Sequence, residues 1–236
     1  NAAGRLANAK DAASLLLSNN ITEAYNFGKK LNAYNEERRS IEREIYKQAI
    51  FDAQEREICQ EKMLIVEGAG WNKGVIGIAA SHFVEKFGRP CAVISCSEEM
   101  CTASARSVKG FNIYDALAQG RDLYTKFGGH SQAAGFSLKR ENIPELKKRL
   151  ADYAEQNLPE NLLIPTLECE CRLSPADIDM KMAKELVKLE PYGMGNESPL
   201  FFSDRFQFEN ISITGKEKNV LKAAVSAGGK NIDCIG

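Results

Sequence analysis

The sequence predicts an α/β protein: helices packed on a central sheet, with a long helix before them and a β-rich region after. Three patterns predict it. From residue 21 to about 58, apolar residues recur every three or four positions. Between 63 and 157, short buried-strand patterns alternate with helical ones. Beyond 166, two-residue alternation takes over. The chain's 236 residues, 44% of them hydrophobic and 27% charged, are enough for one large or two small domains with real cores.

The first pattern reads as one long connecting helix. Ala24, Phe27, Leu31, Tyr34, Ile41 and Ile45 form its seam, with Arg38 filling a gap. Glu36, Glu37, Arg39, Glu42 and Arg43 lie between them as supports one turn apart on a solvated face. In the middle region, Met63 to Val66 predicts a buried strand. Gly74 to Phe87 predicts an apolar helix, stopped by Gly88-Arg89-Pro90. Cys91 to Cys96 and Cys101 to Ser107 predict neighbouring strands. Phe111 to Gln119 reads as a helix, Ala133 to Leu138 as a strand after a glycine turn, and Ile143 to Gln156 as an amphipathic helix.

Residues 158–165 read as a linker. Thr166 to Leu173 then alternates strictly, which predicts a strand, and Ser174-Pro175 predicts the start of a helix running to about Leu189. Phe206 to Ile213 and Val220 to Ala227 predict a hairpin around Gly215. The chain opens on Asn1-Ala2-Ala3-Gly4 and stops at Ile235-Gly236 within a strand-like alternation, so it reads as a piece of a longer polypeptide with an incomplete last domain.

Composition narrows the function classes. No apolar run approaches the ~20 residues needed to cross a bilayer, and no basic segment followed by an apolar one opens the chain, so neither a membrane nor a secreted protein is expected. Seven cysteines and two histidines lack the close ligand pairs of a zinc site. Reduced, mostly buried thiols in a cytoplasmic protein are expected instead. Net charge is −1, and residues 63–157 carry 12 basic against 10 acidic side chains. Any nucleic-acid contact must therefore be a local site.

Three segments have the residue types for such a site. In Phe127 to Phe136 (FGGHSQAAGF), Gly128 and Gly129 allow close backbone approach to an anion, and His130 follows as a phosphate donor or proton carrier. A tight turn bearing a surface histidine is the alternative. In Thr102 to Ser107 (TASARS), strand alternation puts Ser104 and Arg106 on one face as a phosphate clamp, or as a solvated pair. In Gly70 to Ser81 (GWNKGVIGIAAS), glycines before a helix offer free amides to an anion, and Trp71 has either a base or the core to stack on.

Taken in order, NAAGRL (Asn1 to Leu6), WNKGVIGIAAS, SARSVKGFN (Ser104 to Asn112), FGGHSQAAGF and LEPYGMGNESPLF (Leu189 to Phe201) resemble the RecJ exonucleases of the DHH/DHHA1 phosphoesterase superfamily. The resemblance implies a 5′→3′ single-stranded-DNA exonuclease of recombination and repair, of which this chain is a nucleic-acid-binding portion. It implies residues 1–20 as the end of a DHH catalytic domain, 21–60 as the connector helix, 61–157 as a mixed-sheet DHHA1 domain and 158–236 as a partial OB-like domain. It implies DNA contacts at Arg5, Ser104, Arg106, Gly128, Gly129 and His130. No catalytic or metal-ligating residue is expected in this chain. The Mn2+ or Mg2+ of the parent enzyme would sit on motifs that precede NAAGRL, leaving this portion inactive alone. Single-stranded DNA is the expected partner, with single-strand-binding protein and a helicase as protein partners.

The sequence departs from the family at Asn72, where many relatives have His, and at Val220-Leu221-Lys222, where a His-Leu-Lys segment is common. Two alternatives stand beside this reading: a short-oligonucleotide or cyclic-dinucleotide phosphodiesterase, and a non-catalytic module that docks onto a partner.

Overall fold

A computed structural model describes the chain apart from residues 56–57, 175–176, 204–206, 216–217 and 228–229. The chain divides into two compact units, Asn1–Pro165 and Thr166–Gly236.

The first unit opens with α1 (Ala2–Leu6) and α2 (Lys10–Leu17), which pack along the 35-residue helix α3 (Ile21–Glu55). At 1.5 Å per residue, α3 is about 50 Å long. Asp11 of α2 bridges Lys30 at 3.0 Å and accepts from the Tyr34 hydroxyl at 3.3 Å, holding α2 on the predicted seam. Toward its C-terminal end, α3 buries Ile45, Ala49 and Ala53, one per turn, against the sheet and the next helix.

The sheet contains β1 (Leu64–Ala69), β2 (Cys91–Cys96), β3 (Met100–Arg106), β4 (Tyr124–His130) and β5 (Ala133–Lys139), in the order β1-β2-β3-β5-β4. Helix α4 (Ile76–Phe87) connects the parallel pair β1 and β2; the remaining pairings are antiparallel, so the sheet is mixed. Gly88, in the left-handed conformation at φ 62°, ends α4 as its Gly-Arg-Pro signal predicts. Helices α5 (Ile113–Ala118) and α6 (Ile143–Asn157) complete the unit. Asn112 caps α5 by accepting from the Tyr114 and Asp115 amides.

The two sheet faces are covered unequally. One face is apolar across four strands: Ile65, Ile94, Ala103, Ala105, Phe136 and Leu138 pack under α5 and α6. The other is apolar only over β1 and β2, where Leu64, Val66, Cys91 and Val93 lie beneath α3 and α4. Beyond that cover, it continues over β3 and β5 as Thr102, Ser104 and Arg106 beside Ala133, Gly135 and Ser137, all half-buried. This open ledge exists because α4 reaches no farther than β3 and the outer strands carry small or polar residues there.

Residues 158–165 are tied to this unit rather than free. Leu158 is buried and Leu162 and Leu163, within a short helical turn (Glu160–Leu163), pack on the same core. The cysteines also depart from expectation. Cys96 and Cys101 oppose each other across the β2–β3 register, with Cα atoms 4.2 Å apart, and are joined as a disulfide. Among the described free cysteines only Cys91 is buried; Cys171 is exposed, and Cys169 and Cys234 are half-buried.

In the second unit, β8 (Gln207–Thr214), β9 (Val220–Ala227) and β10 (Lys230–Ile235) form an antiparallel sheet in the order β10-β9-β8, after the short strands β6 (Cys171–Arg172) and β7 (Phe201–Phe202) and helix α7 (Met180–Val187). The predicted hairpin is present, turning at Gly215 with φ 92°, although Phe206 lies outside the described residues. Two expectations are corrected. The alternation of Thr166 to Leu173 yields only the two-residue β6, because Cys171 and Arg172 alone pair with a neighbouring strand, and Leu167 is 83% exposed. The predicted helix begins not at Ser174 but at Met180, where the Asp179 side chain accepts from the Met182 amide; Pro175 is outside the described residues.

Candidate nucleic-acid interface

Strand alternation puts Ser104 and Arg106 on the open face of β3, and the structure links them directly. Arg106 Nη1 donates to Ser104 Oγ at 3.0 Å and to the Ala105 carbonyl at 2.9 Å. Gly77 of α4 makes room for them: a Cβ there would lie 2.9 Å from Ser104 Oγ and 3.0 Å from Arg106 Nη2. Among the described residues no carboxylate pairs with Arg106. Partial burial weakens its hold on the proton, and the positive charge of nearby Arg5 adds to the effect. A half-buried guanidinium beside a second guanidinium is a strong seat for an oxyanion, which would offset both penalties.

Arg5 reaches this place through α1. Its Nη1 donates to the Gly74 carbonyl at 2.9 Å, and its own carbonyl sits where a Gly74 Cβ would be, 2.3 Å from that position. Glycine at 74 is therefore what lets α1 dock before α4.

Gly128, Gly129 and His130 are the last residues of β4, an extended strand and not the loop expected of them; the turn is at Ser131 and Gln132. That turn is held by the β3–α5 connection, with Ser107 N donating to Gln132 O and Ile113 N to Ser131 O. Gly129 must be glycine. Its φ is 150°, and a Cβ would fall 2.4 Å from Ala134 Cα. The exposed His130 accepts the Gln132 amide at Nδ1 at 3.4 Å, so its neutral form carries the proton on Nε2.

Register brings the two segments together. Arg106 pairs with Ala133, which pairs with His130; Ser104 pairs with Gly135, which pairs with Gly128. Directly paired residues share a face, so Ser104, Arg106, Gly128 and His130 all lie on the open ledge, across a floor of alanine and glycine. Arg106 and His130 are two strand spacings apart, about 10 Å. Gly129, by alternation, belongs to the opposite face.

The third segment does not supply an anion site. Asn72 takes the amides that the glycines were expected to leave free: its carbonyl accepts from Val75 and Ile76, and its side chain from Gly74 at 2.8 Å. Trp71 is a core residue, 7% exposed, with its ring on Gly68 and its Nε1 donating to Gln48 at 2.8 Å. In the second unit, LEPYGMGNESPLF is organised by Asn196, whose side chain donates to the Leu189 and Pro191 carbonyls.

The open face also carries Lys126, Thr102 and Ser137, which the sequence did not single out. Strand alternation on β3 and β5 would have found the two hydroxyls; Lys126 needed the pairing of β4. No group of three or more His, Cys, Asp or Glu among the described residues is placed to share a metal ion.

Residues 60–156 match the DHHA1 domain family and residues 169–236 the RecJ OB domain family. The single-stranded-DNA-specific exonuclease RecJ of Bacillus subtilis is 34% identical over 238 residues, covering 100% of this chain and 30% of the relative. That of Escherichia coli is 31% identical, covering 100% of this chain and 42% of the relative. The crystal structure of Thermus thermophilus RecJ in complex with Mn2+ superposes with a TM-score of 0.80 at 25% identity, over 99% of this chain and 38% of that one. The chain thus spans well under half the length of these proteins. Along its whole length this chain is homologous to part of the RecJ exonucleases, with a DHHA1 domain followed by a RecJ OB domain and a mixed sheet after a long helix.

Proposed function

We propose that this chain is the DNA-gripping portion of a 5′→3′ single-stranded-DNA exonuclease that acts in recombination and repair. The observation that carries the reading is the half-buried Arg106, bonded to Ser104 beside Arg5 and without a carboxylate partner among the described residues, on a sheet face floored by alanine and glycine. A backbone phosphate fits there: Arg106 and Arg5 supply charge, Ser104 a hydroxyl, and Nε2 of His130 a further donor across the ledge. Such contacts grip any sequence, as a degradative enzyme requires. Exposed Gly128 lets the strand lie close to the sheet, while Gly129 keeps β4 against β5.

Residues 1–20 serve as the end of a DHH catalytic domain, 21–60 as the connector, 61–157 as the substrate-binding domain with 158–165 packed on its core, and 166–236 as part of an OB-like domain. Mn2+ or Mg2+ would be held by residues other than those described and would activate water for phosphodiester hydrolysis. Single-strand-binding protein and a helicase as partners, and a cytoplasmic location, rest on the resemblance to RecJ. Among the described residues no helix is long and apolar enough to cross a membrane. The match to a RecJ OB domain favours this reading over a short-oligonucleotide or cyclic-dinucleotide phosphodiesterase.

The test combines binding with hydrolysis. The pure chain is expected to bind a labelled single-stranded oligonucleotide and to leave its length unchanged with Mn2+ or Mg2+ present. Absence of binding would remove the grip, and robust metal-dependent shortening would overturn the assignment of catalysis to other residues.

A further inference from the structure

The open ledge does not end at Ser104. One row farther along the strands, Thr102 of β3 pairs with Ser137 of β5, which pairs with Lys126 of β4. Thr102 Oγ1 and Ser137 Oγ lie 3.3 Å apart. A bulge between Tyr124 and Lys126 sets the boundary of this row. It turns Tyr124 onto the apolar face, opposite Leu138, while Lys126 stays on the open face with Gly128 and His130. Lys126 is exposed and has no ion-pair partner among the described residues.

Three rows thus follow one another: Arg106 with His130, Ser104 with Gly128, and Thr102 and Ser137 with Lys126. Alternate residues of a strand repeat about every 7 Å, so the first and third rows are about 14 Å apart. The step of about 7 Å from one row to the next is comparable with the spacing of successive phosphates in an extended single strand. Past the third row the charge is mixed, with Lys139 and Arg140 beside Glu98, Glu99 and Glu141. Lys139, next on the same face of β5, is paired with Glu141 at 3.4 Å, and Glu98 and Glu99 are exposed at the β2–β3 turn. Past Lys126 the face thus offers an anionic strand no net positive charge.

We propose that this ledge is a bounded track for three successive phosphates of a single strand, and that Lys126, with the Thr102 and Ser137 hydroxyls, is its distal phosphate subsite. The proposal rests on the nucleic-acid reading of Arg106 and Ser104. It assigns a position-specific role to a lysine that otherwise would be one solvated charge among many.

The test is a fluorescence-polarisation titration of the chain with a 5′-phosphorylated single-stranded oligonucleotide over a salt series. It compares native protein, Lys126→Gln, Lys126→Arg and Arg106→Ala, and repeats each with single uncharged methylphosphonate linkages placed at successive positions. Lys126→Gln is expected to lower the slope of log K against log salt by about 0.7, the value of one phosphate contact on a single strand. Lys126→Arg should keep the native slope. One linkage, two positions from the one that Arg106→Ala renders silent, should cost the native chain affinity and cost Lys126→Gln nothing further.

A native slope and linkage profile in Lys126→Gln, with binding still weakened by Arg106→Ala, would overturn the distal subsite and leave the grip intact. Failure of the native chain to bind, or indifference to Arg106→Ala, would overturn the grip itself and the subsite with it.

Discussion

Arg106 donates to Ser104 at 3.0 Å beside the like charge of Arg5, with no carboxylate partner among the described residues. A guanidinium held for stability would normally have an acidic partner when half-buried. Here burial and a like charge both oppose its ionised form, and its hydrogen bonds go to a hydroxyl and a carbonyl. Residues of this kind are kept for a ligand at some cost to the fold. Arg106→Met is therefore expected to leave the melting temperature unchanged or raise it while weakening oligonucleotide binding at least tenfold. Thermal unfolding and a binding titration on the same preparation check this, and a large fall in melting temperature would show a structural role.

Gly129 is fixed by backbone geometry. With φ at 150° and a would-be Cβ 2.4 Å from Ala134 Cα, Gly129→Ala must move β4 away from β5. Backbone strain and overpacking each cost about 1–3 kcal/mol. The expected loss is about 2 kcal/mol or more by urea denaturation, whereas Gly128→Ala, whose Cβ meets nothing within 4 Å, should cost much less. Equal losses at the two positions would contradict the assigned strand geometry.

Tyr124 carries the opposite kind of signal. Its hydroxyl is buried without a hydrogen-bond partner among the described residues, and burial pushes its ionisation well above the ordinary value of 10.0. Above pH 10 the unfolded chain loses this proton while the folded chain retains it, so stability should fall as pH rises from about 10 toward the folded value. Tyr124→Phe removes the unpaired hydroxyl and the titration together. It is expected to match or exceed native stability at pH 7 by up to about 1 kcal/mol and to reduce the alkaline loss. Denaturant titrations at pH 7 and above pH 10 measure both effects.

Asn72 holds the amides of Gly74, Val75 and Ile76 at the start of α4 with its own carbonyl and side chain. Asn72→Ala removes only the side-chain bond to Gly74, and loss of a cap of this kind costs about 1 kcal/mol. The salt slope of oligonucleotide binding should be unchanged, because these amides bind Asn72 rather than an anion. A changed slope, measured by the same titration, would restore this segment as a phosphate site.

Much of the fold was legible because periodicity reports burial. The seam of α3, the Gly88 stop of α4, the alternation of β3 and the amphipathic stripe of α6 each occur where the pattern predicted them. β4 was not legible. It is an edge strand whose Gly128, Gly129 and His130 are exposed, so no alternation marks it and glycines imitate a turn. Thr166 to Leu173 failed in reverse, since alternation without a neighbouring strand does not make a sheet. Within the candidate site, the shared face of Ser104 and Arg106 followed from alternation alone. Their alignment with His130 did not, because it depends on β5 lying between β3 and β4. The anion role expected of Gly70 to Gly74 was taken by a local competitor, the Asn72 side chain and carbonyl, which no spacing rule reveals.

In the proposed grip, Arg106 and His130 hold a single strand through its phosphates. The most direct measurement is fluorescence-polarisation binding of a 5′-phosphorylated single-stranded oligonucleotide to the native chain, Arg106→Ala and His130→Ala across a salt series. The grip predicts salt-sensitive binding by the native chain and weaker binding by both variants. It also predicts a salt slope smaller by about 0.7 for each phosphate that a variant no longer holds. Native affinity and slope in both variants would contradict it.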